Sequence, residues 1–591
     1  MSSPAHTRAV GLALVALTLV AFATRWIGLG ALLPQAREAD TVIVHVAAAA
    51  DRPEGVPLSD AAYPSTSYPF LFSGILIALP GSNYPVAAPA DAPLEEHLAA
   101  AAEPYLRARR LIALLSLLAV PATFFLARRW LEPGWALLAT ALLVTSDLAL
   151  GMSQQARPHG GLLGTSTLAL LCIVALVRSA TWRAYLAAGV TTAISLASLH
   201  SGFFVVPSLF AAHLLGWRRD RSRGRWGKLG VALAACALAF VLAYPFLVFG
   251  DGLQRKDAAT LNLGQHAILW ETWNGAGFAR MLPGLFARDP VIVVAALVGA
   301  FVLFVVGVRA AVRRNDVSAA SGADDTSRAE FVVLALHVVV LVGLFGLQAQ
   351  FYTRFLLPVV PAACILGAYG TRGVVRWTSD RAGFSSVPWM RGALAAGAAV
   401  ALLVVPAQGV VHRAIVRARP DTLTLAARWL EANVPKDSGT IGVDFSLDLP
   451  VRQSRPGLEE RIHWSWRPWQ RYQAEILAPD APWPSFDVRQ LFDMDMMKER
   501  RIRADAVVRR IEEINARWAV VTLPPPEVGD RDETRVGVRR VAGEPVVVIR
   551  PDRVDEREPD AVYAREEDGA SSSGRVVERT GPVVEIYRLP R

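Results

Sequence analysis

The chain has 591 residues, of which 53% are hydrophobic and only 19% charged, and its formal net charge is +9. A soluble domain carries about 25% charged residues, so a single soluble globule is excluded; the apolar content equally excludes a disordered chain. Apolar blocks crowd residues 10–411 while 412–591 are polar, which describes a polytopic α-helical membrane protein with a soluble C-terminal domain.

A spanning helix needs about 20 apolar residues. In chain order, eleven blocks of that kind lie near 10–30, 109–127, 134–151, 160–178, 184–199, 202–217, 228–249, 289–311, 330–350, 354–371 and 391–411. The first follows Arg8 and contains Ala21-Phe22-Ala23, a weak match to a signal-peptide cleavage site. Its apolar run continues past that point to Arg25-Trp26, so a retained helix with an interfacial anchor is expected. The cysteines Cys172, Cys236 and Cys364 fall inside apolar blocks without metal-ligand spacing and are expected as small core hydrophobes.

Charge then sets the orientation. With the N-terminus cytoplasmic, the dense basic run from Arg218 to Lys228 lies inside, as do Arg128-Arg129, Arg313-Arg314 and Arg372/Arg376/Arg381. This fits the positive-inside rule, with Arg107, Arg109 and Arg110 as the exception. Much of the basic balance is thereby topogenic, and no nucleic-acid partner is expected. Two long segments fall outside: loop 31–108 and the tail 412–591.

The outer loop holds Arg37-Glu38-Ala39-Asp40. A carboxylate there suits a general base or a metal ligand; the competing reading is a solvated loop charge. Residues 68–80 are too few to span and read as an interfacial or re-entrant helix along the outer surface. Residues 92–106 read as a second, more polar helix.

Three further outer places gather ionisable groups at the membrane boundary, where chemistry on a lipid-borne substrate would sit. Ser153-Gln154-Gln155-Ala156-Arg157-Pro158-His159 joins two spans. Tyr352-Thr353-Arg354-Phe355 forms a tight turn that opens the tenth. Arginine suits phosphate, though Arg157 and Arg354 also fit snorkelling to lipid headgroups. Loop 250–288 carries Arg255, Lys256 and His266, and His200 lies near another outer turn.

The tail reads as α/β. Asp421 suits an N-cap for a helix presenting Leu423, Ala426, Leu430 and Val434. Strands are expected at Thr440–Phe445, Trp518–Leu523, Pro545–Ile549 and Pro582–Tyr587, with a helix near 497–516. Trp464, Trp466, Trp469 and Trp483, interleaved with arginines, suit either a packed or interfacial cluster or a sugar or membrane-surface platform, the packed or interfacial cluster being favoured. Neither a Walker motif nor GxGxxG is present.

The ordered set of segments resembles the GT-C fold glycosyltransferases, and within them the bacterial branch that includes protein O-mannosyltransferases and the lipid A aminoarabinose transferase. The resemblance covers most of residues 8–450. It is carried by Asp40 in a large first outer loop, Tyr63-Pro64-Ser65-Thr66-Ser67-Tyr68 before a juxtamembrane helix, and Leu106-Arg107-Ala108-Arg109-Arg110 at the second span. Tyr352-Thr353-Arg354-Phe355-Leu356-Leu357-Pro358 and Arg419-Pro420-Asp421-Thr422 complete it. The family usually has an acidic pair in the first loop; here Asp40 precedes Thr41 and Glu38 is its nearest acidic partner. Many relatives also carry Asp near Arg157-Pro158-His159.

The resemblance implies an inverting glycosyltransferase with a polyprenyl-phosphate sugar donor and an acceptor that is protein, lipid or glycan. Its catalytic groups would be Asp40, with Glu38 near. Arg354, Arg157 and Tyr352 would hold the donor phosphate, and Tyr63, Tyr68, His159, His200, His266, Arg255 and Lys256 would line the cleft. Membrane lipids are further partners, and a divalent metal stays open. The implied site is the outer face of the plasma (inner) membrane, with a transmembrane domain over 1–411 and an extracytoplasmic domain over 412–591. The alternatives are a transporter or flippase of lipid-linked glycans and a non-catalytic scaffold. A transporter would show internal repeats and midplane charges; no obvious repeat is present.

Overall fold

A computed structural model describes the chain except for residues 1–3, 36–41, 52–68, 90, 218–223, 245–247, 249–259, 264–265, 270–271, 314–321, 350–351, 385–386, 445–448, 463–467, 478–484, 492–502, 523–532, 551–578 and 591. It divides into two compact units: Met1–Trp26, Asp40–Pro80 and Ala108–His412 form the first, and Ile27–Ala39, Gly81–Arg107 and Arg413–Arg591 the second.

The first unit is helical. Its elements are α1 (Pro4–Trp26), α2 (Val42–Ala50), α3 (Leu71–Ala78), α4 (Leu94–Ser116, whose N-terminal part belongs to the second unit), α5 (Ala119–Ala127), α6 (Pro133–Val144), α7 (Asp147–Ser153), α8 (Pro158–Ala175) and α9 (Trp182–Ser198). A 3-10 helix, His200–Val205, leads into α10 (Val206–Trp217) and α11 (Gly224–Ala243). The hairpin β1 (Thr260–Leu263) and β2 (His266–Leu269) precedes α12 (Ala276–Arg288), α13 (Pro290–Arg313) and α14 (Gly322–Leu347). A second 3-10 helix, Thr353–Val359, opens α15 (Val360–Arg381), and α16 (Pro388–Ala418) follows.

All eleven apolar blocks fall on helices. By length and composition, seven helices among the described residues suffice to cross a membrane, or up to nine if each bent pair is one span. The count is below eleven because α9 has 17 residues and α10 only 12. The chain is therefore a multi-pass integral membrane protein.

Small residues let the helices approach closely, as expected where lipid offers no hydrophobic contrast. A Cβ at Gly164 of α8 would lie 1.9 Å from the Leu115 carbonyl oxygen of α4, and one at Gly161 would meet the Phe72 ring of α3 at 2.5 Å. The ends read as cytoplasmic are pinned by ion pairs. Glu330, fully buried, accepts two 2.6 Å bonds from Arg178 and a 3.5 Å bond from Arg129. Glu132 pairs with Arg372 and Arg376. Trp182, Trp226, Trp377 and Trp389, half or more exposed, sit at the same ends, in keeping with an interfacial aromatic belt.

Arg25 corrects the reading of Arg25-Trp26 as an anchor. It is 1% exposed, and its Nε donates to Ser116 Oγ at 3.1 Å; only Trp26 is exposed. A guanidinium near a helix end can turn inward when a hydroxyl is at hand. The cysteines are free and half-buried or buried, as expected.

In the second unit, α17 (Thr422–Asn433) is followed by β3 (Thr440–Val443), α18 (Arg455–Ile462), α19 (Pro468–Arg471), β4 (Val488–Gln490), α20 (Ala504–Glu513), β5 (Ala516–Thr522), α21 (Glu533–Ala542), β6 (Val547–Ile549) and β7 (Val584–Arg588). The sheet order is β4-β3-β5-β7-β6. The first three strands are parallel, while β7 is antiparallel to both β5 and β6.

Successive residues of a strand point to opposite faces. Val520 packs with Leu430 of α17 on one side, and Ala519 and Val521 pack with Val507 of α20 and Val538 of α21 on the other. Asp421 caps α17 as expected, its carboxylate accepting from the Thr424 N–H at 2.8 Å. The four anticipated strands are present; β4, α18, α19 and α21 are additions. Trp469 is fully buried, stacks on Tyr472 and donates its Nε1–H to the Val451 carbonyl at 2.9 Å, so it belongs to the packed cluster. Trp464, Trp466 and Trp483 lie outside the described residues.

Glu330 is buried but its partners Arg178 and Arg129 keep 41% and 25% of their side-chain surface exposed, so losing it removes charge-assisted hydrogen bonds worth about 1.5–3 kcal/mol. Glu330→Ala is therefore expected to lower the thermal unfolding midpoint in detergent by several degrees. An unchanged midpoint would show that the Arg178–Glu330 pair contributes nothing to the bundle.

Candidate functional site

Two of the anticipated outer places converge within the first unit. The first is the elbow between α7 and α8. Ser146 Oγ caps α7 by accepting from the Ala149 N–H at 3.1 Å. The seven-residue helix is buried from Leu148 to Ser153 and ends at Gln154. Arg157, 1% exposed, then stands in extended backbone immediately before Pro158, which opens α8. Proline suits that first helical position because the N–H it lacks would be unbonded there anyway. The Gln154 Nε2–H donates to the Thr24 carbonyl at 3.0 Å, tying the elbow to the end of α1.

The second place is the 3-10 helix Thr353–Val359. The Arg354 guanidinium carbon lies 4.1 Å from the centroid of the Tyr352 ring and 5.4 Å from that of Phe355. The Phe355 ring in turn stacks on His159 of α8, with centroids 6.1 Å apart at 22°. On its other side it stacks on Phe345 of α14 at 4.9 Å, and Phe345 meets Phe204 edge-on at 5.5 Å. One run of rings therefore joins four elements, with Arg157 two residues from one member and Arg354 next to another. A cation over an aromatic face keeps its charge while losing freedom, which suits a preorganised anion site.

His200 starts the 3-10 helix that carries Phe204 but itself lies against Tyr244, with centroids 5.4 Å apart. His266 lies in β2, paired in register with Leu263, and its side chain is outside the description. Asp40, Glu38, Tyr63, Tyr68, Arg255 and Lys256 fall outside the described residues. Among the described residues, no group of three or more His, Cys, Asp or Glu is arranged to hold a metal ion.

Asp289 went unread at the sequence level. It is 7% exposed and accepts from Ser146 Oγ at 2.7 Å, the Asp147 N–H at 2.8 Å and the Leu148 N–H at 3.4 Å. The residue before it, Arg288, donates to Asp147 Oδ2 at 3.1 Å. The signal was present in Phe278, Leu282 and Phe286, spaced as one face of a helix. That face shows that residues 276–288 are not plain loop and that an acidic residue ends them.

The second unit holds a cavity of about 520 Å³ lined by Leu94, Leu98, Thr424, Arg428, Lys436 and Arg452, among others. Burial pulls the Lys436 ammonium below the ordinary lysine range, against the raising effect of its partner Glu431 and with help from Arg452. On β7, burial and the neighbouring Glu585 carboxylate push Tyr587 up to about 12. Glu585 is held there by Arg535 through two 2.9 Å bonds. This network fixes α21 to the sheet.

Residues 87–252 match the family model described as dolichyl-phosphate-mannose-protein mannosyltransferase. Among solved structures, the oligosaccharyltransferase of Archaeoglobus fulgidus in the apo form is similar at 12% identity over 90% of this chain and 72% of that one, with a TM-score of 0.43. ArnT from Cupriavidus metallidurans in the apo state is similar at 11% identity over 98% of each chain, with a TM-score of 0.42. No curated protein matches the chain. The family match lies within the stretch covered by the sequence resemblance and bears it out. Over residues 87–252 the chain is thus similar to a family of membrane mannosyltransferases.

Phe355→Ala would remove the ring between His159 and Phe345. Truncating a packed Phe costs about 3–5 kcal/mol when fully buried. A loss of about 2 kcal/mol is expected here, read as a lower unfolding midpoint. An unchanged midpoint would mean that the stack does not hold the two arginine-bearing segments together.

Proposed function

We propose that this protein transfers a sugar, with inversion, from a polyprenyl-phosphate donor to an acceptor at the extracytoplasmic face of the plasma (inner) membrane. The observation that carries the reading is the ring stack from His159 to Phe355. It packs the start of α8, which Arg157 precedes, against the turn that carries Arg354. The family match supports the donor class, since that family is described by a dolichyl-phosphate sugar. The cytoplasmic assignment of the basic ends, and hence the outer position of this cluster, rests on the positive-inside bias of the arginine-rich connections.

In the reaction, an acceptor hydroxyl or amine attacks the anomeric carbon as the bond from that carbon to the phosphate oxygen breaks. Asp40 takes the acceptor proton, with Glu38 nearby to raise its basicity. The departing phosphate keeps the bonding electron pair. Arg354 and Arg157 offset its growing charge through charge-assisted hydrogen bonds, which are stronger away from bulk water. Tyr352 holds Arg354 in place by cation–π contact. Tyr63, Tyr68, His159, His200, His266, Arg255 and Lys256 are the proposed cleft residues. A direct displacement needs no enzyme nucleophile.

The test is transfer from a radiolabelled polyprenyl-phosphate sugar to a cell-envelope acceptor fraction by the protein in nanodiscs. Asp40→Asn is expected to lower the rate at least about 100-fold while donor binding stays within about twofold of wild type. Transfer at the wild-type rate by this variant would overturn Asp40 as the base. For orientation, Ser222→Cys is expected to resist an impermeant thiol reagent in intact cells, whereas Ser572→Cys is expected to react; the reverse pattern would put the site on the wrong side.

A further inference from the structure

Two of the membrane helices are broken at the outer boundary, and the breaks grip each other. The axis bends by 56° between α6 and α7 and by 120° between α12 and α13. Each break exposes backbone N–H groups that lipid cannot satisfy. Asp289, the single residue between α12 and α13, supplies the acceptors for the first break by taking the N–H groups of Asp147 and Leu148 and the Ser146 hydroxyl. The exchange is reciprocal, because Arg288 donates back to Asp147. Four hydrogen bonds thus join the two elbows.

The clasp has a direct line to the arginines. Helix α7 is about 10 Å long at 1.5 Å per residue, is buried throughout after Asp147, and delivers Gln154–Arg157 from its far end. Helix α12 also presses on the other arginine segment. A Cβ at Gly284 would come within 2.6 Å of Thr353 Oγ1, the residue before Arg354. The opposite face of α12 carries Phe278, Leu282 and Phe286, each about half exposed at i, i+4 and i+8, as suits a helix lying in the lipid boundary.

We infer that α12 is a strut that spaces the two arginine-bearing turns, and that Asp289 is a positioning residue acting through α7 on Arg157. This rests on the proposed role of the two arginines in holding the donor phosphate. The strut would set their separation to fit one phosphate monoester or diester group. Its lipid-facing stripe keeps that spacing referenced to the membrane surface.

The experiment is equilibrium binding of undecaprenyl phosphate to the full chain in nanodiscs, comparing wild type, Asp289→Asn, Arg157→Gln and the double variant. Asparagine keeps the size but loses the charge that three donors share. Asp289→Asn is expected to weaken binding about tenfold, and the double variant to bind no more weakly than Arg157→Gln alone, because Asp289 acts only through Arg157. Losses that multiply, or wild-type affinity in Asp289→Asn, would overturn the positioning role. Should Asp289→Asn fail to fold, Arg288→Gln removes one bond and leaves the cap. It is expected to weaken binding a few-fold, and unchanged affinity would likewise overturn the inference. Failure of wild type itself to bind undecaprenyl phosphate would overturn the donor reading, and this inference with it. That outcome is distinct from binding that ignores Asp289.

Discussion

The first unit depends on how its broken helices satisfy their own backbone. In a bilayer, a helix interrupted out of reach of water leaves N–H groups that only protein can bond. Here Asp289 bonds those at the start of α7, and Ser146 bonds a third. The clasp anchors the start of α7, and the elbow at its other end leads to Arg157 where α8 begins. The ring stack from Phe204 through Phe345 and Phe355 to His159 then brings in the second 3-10 helix, and Arg354 with it. Polar capping and aromatic packing thus do separate jobs. The caps fix the direction of each turn, and the rings fix the distance between turns.

The same division explains how much of the fold was legible in the sequence. Long apolar runs report burial in lipid directly, so every expected span lies on a helix. The Asp421 cap and strands β3, β5, β6 and β7 were also legible, because capping residues and β-branched runs act locally. Short breaks were not. One residue between α12 and α13, and two between α6 and α7, vanish inside any 18-residue average. The outer helix α4 runs on through Ser116 rather than stopping near 106, since Pro104 is tolerated within it. Strand β4 reads Val-Arg-Gln and is held by its neighbour β3, with no apolar run of its own to announce it.

The site was legible in parts. Arg157 and Arg354 stood out because arginine at an outer boundary opposes the topogenic bias. What the sequence left open was that their near neighbours His159 and Phe355 stack, since segments nearly 200 residues apart meet only through tertiary packing. Asp289 escaped notice because a carboxylate that caps a helix from another element has no sequence spacing to that helix. Asp40, the proposed base, lies outside the described residues, so its role rests on the family resemblance and on the chemistry that the two arginines leave incomplete. A phosphate leaving group with nothing to take the acceptor's proton is half a reaction.

The central claim is that two outer turns form one phosphate site. A structure of this protein with undecaprenyl phosphate bound tests it most directly. The account predicts phosphate oxygens within hydrogen-bonding distance of both the Arg157 and the Arg354 guanidinium groups. A phosphate held by neither, or by one with the other turned to lipid headgroups, would contradict it.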